Sequence, residues 1–170
     1  MSTTYFLLLL EHLGINSSFF GLADRIRSSK GLATRATSTL IPGSVELLER
    51  LRQEYVLAVV TTRQRSEAEA FLAAADIGRY FEVIITRSDC WHIKPHPDPI
   101  RKAALLLGIK PDECLMIGDT VLDMRSARRA GARAVGVLTG YDEREELTRA
   151  GAEVVLNNAS QLLTYLAKTG

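Results

Sequence analysis

Asp119 and Asp123 stand four residues apart, directly after the apolar run Leu115-Met116-Ile117-Gly118, so two carboxylates sit where a strand would hand over to a helix. A hard divalent cation such as Mg²⁺ takes carboxylate oxygens, retains waters and bridges to phosphate, and this pair offers it ligands. The same residues also read without chemistry, Asp119 as a helix N-cap and Asp123 as a first-turn acid balancing the helix dipole. Lys94 lies in His92-Ile93-Lys94-Pro95-His96-Pro97-Asp98-Pro99, where prolines stiffen a loop ahead of a helix start. An ammonium held there would neutralise charge on a bound phosphate and on an attacking carboxylate. Thr61 and Thr62 follow another apolar run, Val56 to Val60, and offer a hydroxyl and backbone amides to a phosphoryl oxygen. A threonine at a strand end is also an ordinary turn residue, and a lone loop lysine is usually solvated. Each motif gains its weight from the other two.

The elements that must position these residues alternate along the chain. Val56 to Val60, Val83 to Ile85, Leu115 to Ile117, Ala134 to Leu138 and Val154 to Leu156 read as strands, and amphipathic segments separate them. Ser66 with Glu69 reads as a capping box, and Asp98 with Pro99 as an N-cap with proline at the first helical position. Gly108, Gly131 and Gly151 each follow a helical pattern where a left-handed stop is wanted. Pro42-Gly43-Ser44 turns the chain into a helix carrying Val45, Leu47, Leu48 and Leu51. Strands apolar on both faces and separated by helices imply an α/β fold with a doubly wound, mostly parallel sheet. Ligands then bind at the carboxyl ends of the strands, where all three motifs fall.

Composition narrows the function classes. With 21 basic against 20 acidic residues the net charge is +1, so no overall field recruits nucleic acid or an anionic membrane. A small polar substrate or a protein partner is the expectation. The 46% hydrophobic content suffices for one core in 170 residues. No apolar stretch approaches the roughly 20 residues of a membrane helix, and Tyr5 to Leu10 is too short and uncharged at its front for an export signal. Cys90 and Cys114 have neither metal-ligand nor disulfide-framework spacing, which points to a reducing, cytoplasmic setting with Cys114 packed as a buried thiol.

Thr61 after one strand, Lys94-Pro95-x-Pro97 before a helix and Gly118-Asp119-x-x-x-Asp123 after a third strand resemble, in order and spacing, the haloacid-dehalogenase superfamily of phosphohydrolases. The likeness covers about residues 41–166 and is nearest the phosphoglycolate-phosphatase and pyrophosphatase-like branch. It implies a Rossmannoid core with a helical cap, Mg²⁺ dependence, a small phosphorylated metabolite as substrate and a phospho-aspartate intermediate. On this chain it makes Thr61 and Lys94 catalytic, with Thr61, Thr62 and Lys94 at the phosphate. Asp119 then ligates Mg²⁺, and Asp123 supports that ligand or its waters.

One part of the pattern is missing. The family's opening Asp-x-Asp-x-Thr occurs nowhere in the chain, whose first aspartate, Asp24, lies in the basic, helical context Leu22-Ala23-Asp24-Arg25-Ile26. Residues 1–40, with Phe19, Phe20, Leu22 and Ile26, therefore read as a truncated helical cap remnant, and 41–170 as a core lacking its usual first strand. A start assigned too late would explain this, with the motif encoded upstream. Without that strand two ladders of backbone groups would face a gap in the sheet, which a strand-donating partner, a second copy or Tyr5 to Leu10 could fill. The preferred reading of Tyr5 to Leu10 is a cap helix with Leu7, Leu10 and Leu13 on one face. The strand alternative would bring Glu11 near the empty nucleophile position. Deleting a covalent nucleophile typically removes roughly 10⁴-fold of rate, so feeble hydrolysis, or a non-catalytic phosphate-binding or interaction module, is expected.

Three further features carry less. Arg125, Arg128 and Arg129 share a helix face and read as a solvated surface. Trp91 reads as a ring packed on the domain edge, although beside the lysine loop it could cover substrate. His12, His92 and His96 lack ligand spacing, so no histidine metal site is expected.

Overall fold

The computed structural model describes residues 5–8, 40–140 and 142–169. Its centre is a six-stranded sheet: β1 (Tyr5–Leu8), β2 (Leu57–Val60), β3 (Val83–Ile85), β4 (Cys114–Gly118), β5 (Arg133–Val137) and β6 (Val154–Leu156). The spatial order is β3-β2-β1-β4-β5-β6, and every neighbouring pair is parallel. The five strands expected from sequence are all present, each within about one residue of its expected ends.

The helices are α1 (Ser44–Glu54), α2 (Arg65–Ala74), α3 (Asp98–Leu107), α4 (Val121–Ala130), α5 (Arg144–Ala150) and α6 (Leu162–Thr169). Strand side chains alternate between two cores, because successive residues of a strand point to opposite faces. Leu57, Val59, Leu115 and Ile117 pack with Leu48 and Leu51 of α1, Phe71 of α2 and Leu162 of α6. Ala58, Val60, Cys114 and Met116 pack with Ile100 and Ala103 of α3, Met124 and Ala127 of α4 and Leu147 of α5. β2 and β4 are thus buried on both sides, which is why they read as uninterrupted apolar runs. Burial also pushes the Cys114 thiol up to about 12, the behaviour of a packing residue rather than a nucleophile.

The central position belongs to Tyr5–Leu8. Its backbone pairs with β2 on one side, Leu8 beside Val59, and with β4 on the other, Leu8 beside Ile117. The cap-helix reading of this run is therefore corrected. A four-residue apolar segment has no period long enough to separate strand from helix, and here the unpaired ladders of β2 and β4 decide the matter. The gap is filled from within the chain. Leu9, Leu10, Glu11, His12, Asp24 and the rest of the expected cap remnant lie outside the described residues.

Helix ends differ in detail from the expected caps. Gln64 rather than Ser66 starts α2, in a reciprocal box with Glu67, and Pro97 rather than Asp98 precedes α3. Both helices begin a residue or two early because backbone geometry, not side-chain type, sets the boundary. Gly108 and Gly131 close α3 and α4 in the left-handed conformation that the sequence suggested.

Between β3 and α3 the chain is anchored by Asp89, which accepts hydrogen bonds from Thr86 N at 2.8 Å, Thr86 Oγ1 at 2.6 Å and Arg65 at 2.6 Å. Burial would raise its carboxyl, but the bonds from Arg65 and Thr86 outweigh it and lower it from 3.8 to about 2. Because the folded value is depressed, the stabilisation is complete above the unfolded value and lost as pH falls toward about 2. Asp89→Asn should therefore remove part of the acid dependence of stability between about pH 4 and pH 2, read as a flatter plot of urea midpoint against pH.

Candidate active site

In a doubly wound sheet the cleft opens where strand order reverses, at the carboxyl ends of the central strands. Here the reversal lies between β1 and β4. Thr61 and Thr62 follow β2, and Asp119 follows β4, so both motifs stand on this rim, one on each side of β1. Lys94 reaches it from the β3–α3 connection.

The lysine is what ties the rim together. Its ammonium donates to Asp123 Oδ1 at 2.7 Å and, more weakly, to the carbonyl of Val60 at 3.4 Å. Both charged side chains are buried, with 2% of Lys94 and none of Asp123 exposed. Two charges leave water together only when their attraction and the remaining hydrogen bonds repay the desolvation. The second oxygen of Asp123 completes the repayment by accepting from Thr120 Oγ1 at 2.6 Å and Thr120 N at 3.2 Å, while Thr120 Oγ1 accepts from Asp123 N. Asp123 is therefore both the first-turn acid of a capping box and the counter-ion of Lys94. Each of its oxygens thus accepts at least one hydrogen bond.

Thr61 is buried at the end of β2, and its Oγ1 accepts from Arg63 N at 3.2 Å. Accepting there leaves the hydroxyl proton to donate elsewhere, as a phosphate ligand would require. Thr62 is half-buried beside it. The Nε of neighbouring Arg63 is buried without a hydrogen-bond partner among the described residues, a rim cation that the sequence reading passed over. A basic residue after a strand-end threonine carries no pattern to flag it.

Asp119 is also buried, 6% exposed. The backbone of Gly140, in the connection after β5, closes on it so tightly that a Cβ at that position would lie 2.4 Å from Asp119 Oδ2. Gly118 is needed for a similar reason, since a Cβ there would lie 2.4 Å from the Cβ of Asp123. Gly118 thus marks a close approach of α4 to the end of β4. Asp142 accepts from Val121 N at 2.6 Å and fastens the Gly140 connection to the start of α4. Neither Gly140 nor Asp142 was legible from local sequence, because each acts on residues about 20 positions away. Asp119, a buried carboxylate in a cradle kept open by glycine, has the donor chemistry that would suit a hard divalent cation.

The remaining features separate clearly. Trp91 is 99% exposed, so its ring does not pack on the domain edge as expected. Arg125, Arg128 and Arg129, with Arg149, line a shallow surface cavity of about 260 Å³. His92 and His96 come together despite their uninformative spacing, with ring centroids 4.2 Å apart.

Lys94→Met would strand a buried carboxylate, which costs roughly 3–5 kcal/mol. Asp123→Asn in the same chain should recover part of this loss, because the stranded charge disappears. Urea unfolding of the single and double variants reads both effects.

Residues 9–137 match the haloacid dehalogenase-like hydrolase family. Pyrophosphatase PpaX of Bacillus mycoides is 36% identical over 120 residues, 71% of this chain and 56% of the relative, so the chain spans about half the length of the curated relative it matches. A hydrolase from Pseudomonas syringae shares the fold with a TM-score of 0.80 at 26% identity, over 98% of each chain. A phosphoglycolate phosphatase, so described as predicted, from Haemophilus somnus superposes with a TM-score of 0.76 at 20% identity, over 98% of this chain and 99% of that one, and supports the fold alone. With the sheet order and the family match in agreement, the chain belongs to the haloacid dehalogenase-like hydrolase family.

Proposed function

We propose that the rim binds the phosphoryl group of a small phosphorylated metabolite beside Mg²⁺, as a phosphomonoester-hydrolase site does. The observation that carries this reading is the buried Lys94–Asp123 pair, which brings the β3–α3 loop and the start of α4 against the end of β2. A fixed ammonium there counters the charge of a phosphoryl group without needing to be ordered when the substrate arrives. Thr61, through its hydroxyl, orients a phosphoryl oxygen, and the backbone amides of the Thr61-Thr62 turn serve the same group. Arg63 adds a second positive charge at this edge.

Asp119 would hold the cation, whose chemistry when bound is to neutralise phosphate charge and to polarise the phosphorus–oxygen bonds. Asp123 acts through Lys94, as a positioning residue, because its carboxylate holds the ammonium in place. Gly140 and Asp142 keep the Asp119 carboxylate in place from above.

The second reading, a phosphate-binding module with little or no turnover, is favoured by one specific fact. The 170 residues contain no Asp-x-Asp, so the covalent nucleophile of the family and its acid/base neighbour have no counterpart of that pattern in the sequence. Positioning and electrostatics alone leave only a small residue of catalysis.

The two readings part in one experiment on this chain, binding of inorganic phosphate measured beside hydrolysis of p-nitrophenyl phosphate with Mg²⁺. The first reading predicts turnover that Asp119→Ala abolishes, and the second predicts phosphate binding with a rate lower by roughly 10⁴-fold or more than a site with a covalent nucleophile supports. Hydrolysis that survives Asp119→Ala would remove the Mg²⁺ assignment, and failure to bind phosphate would remove the site.

A further inference from the structure

Three side chains beside the Lys94 loop have no part in the phosphate rim. His92 Nδ1 lies 2.8 Å from Asp98 Oδ2, and His96 Nδ1 lies 3.0 Å from Asp98 Oδ1. The two imidazole rings stack at 28° to one another, and donor atoms of all three residues lie within 4.8 Å of each other. What draws them together is a turn closed by His96 N donating to Ile93 O at 2.9 Å, which folds back the segment between the histidines. Asp98 is fixed independently as the first residue of α3. His96 and Asp98 are thus placed by hydrogen-bonded backbone, and His92 swings onto them.

We propose that His92, His96 and Asp98 form a binding site for a transition-metal dication of the Zn²⁺, Co²⁺ or Ni²⁺ class, separate from the Mg²⁺ position at Asp119. Two imidazole nitrogens and one carboxylate oxygen are a donor set that these ions prefer and Mg²⁺ does not. Each carboxylate oxygen of Asp98 faces one ring nitrogen, so the three donors already converge. Bonds of about 2.0–2.2 Å to such an ion require only small adjustments of the three side chains, each imidazole moving slightly off the carboxylate to admit it, and their partial exposure leaves room for this. Three protein ligands leave a further coordination position for water.

The position of this cluster gives it a consequence. His92 and His96 stand two residues on either side of Lys94, so a bound ion closes a loop of chain around the lysine and restrains the segment that delivers it to Asp123. The inference does not depend on hydrolysis, since it concerns different donors and a different class of ion.

The test is calorimetric titration of the full 170-residue chain with Zn²⁺ in the presence of excess Mg²⁺, which occupies the hard-donor position. One Zn²⁺ should bind per chain, His92→Ala and His96→Ala should each weaken it at least tenfold, and Asp119→Asn should leave it unchanged. His92 is 62% exposed, so its removal leaves the fold intact and decides the question even if His96→Ala unfolds the chain. Absence of Zn²⁺ binding, binding that survives His92→Ala (capture by Cys90, for example) or binding lost with Asp119 would each overturn the assignment.

Discussion

The buried contact between Lys94 and Asp123 is the constraint around which the upper edge of the molecule is organised. An ammonium and a carboxylate are placed where water does not reach, and the structure satisfies each from several directions, the lysine by a carboxylate and a carbonyl, the aspartate by a lysine and a threonine. Pairs like this contribute little net stability compared with well-packed apolar residues. Their value lies in the penalty for losing one partner, which fixes a single arrangement of β2, the lysine loop and α4. A charge whose position is set in advance is what a site for phosphate requires.

The sheet imposes the second requirement. β2 and β4 each present a full ladder of backbone donors and acceptors toward the space between them, and Tyr5–Leu8 supplies the matching ladder to both. The outer strands were legible in sequence because each is apolar on both faces and bounded by turn residues. The middle one was not, since four apolar residues carry no decisive period and their pairing is determined by segments far away. Only the count of unpaired ladders pointed to it.

Legibility of the rim followed the same division. Thr61, Lys94, Asp119 and Asp123 could be read because each sits at a strand end or in a proline-stiffened loop, in an order that local sequence preserves. The role of Asp123 was half visible, since its capping geometry is local whereas its bond to Lys94 spans 29 positions. Gly140, Asp142 and the proximity of His92 to His96 were beyond reach, as each depends on where a connection folds in space. Gly118 is required by the approach of α4, a packing constraint that its place at a strand end does not by itself reveal.

The placement of β1 carries a kinetic implication. Its two neighbours lie about 50 and more than 100 residues further along the chain, so the middle of the sheet is assembled from the most widely separated pairings in the domain. Closing such loops costs entropy before any contact rewards it, and nonlocal pairings of this kind fold slowly. On a ribosome Tyr5–Leu8 would emerge well ahead of Cys114–Gly118 and wait, apolar and half-paired, until nearly the whole domain had been synthesised. The segment completing the architecture is therefore also the one for which a nascent chain has greatest need of a chaperone.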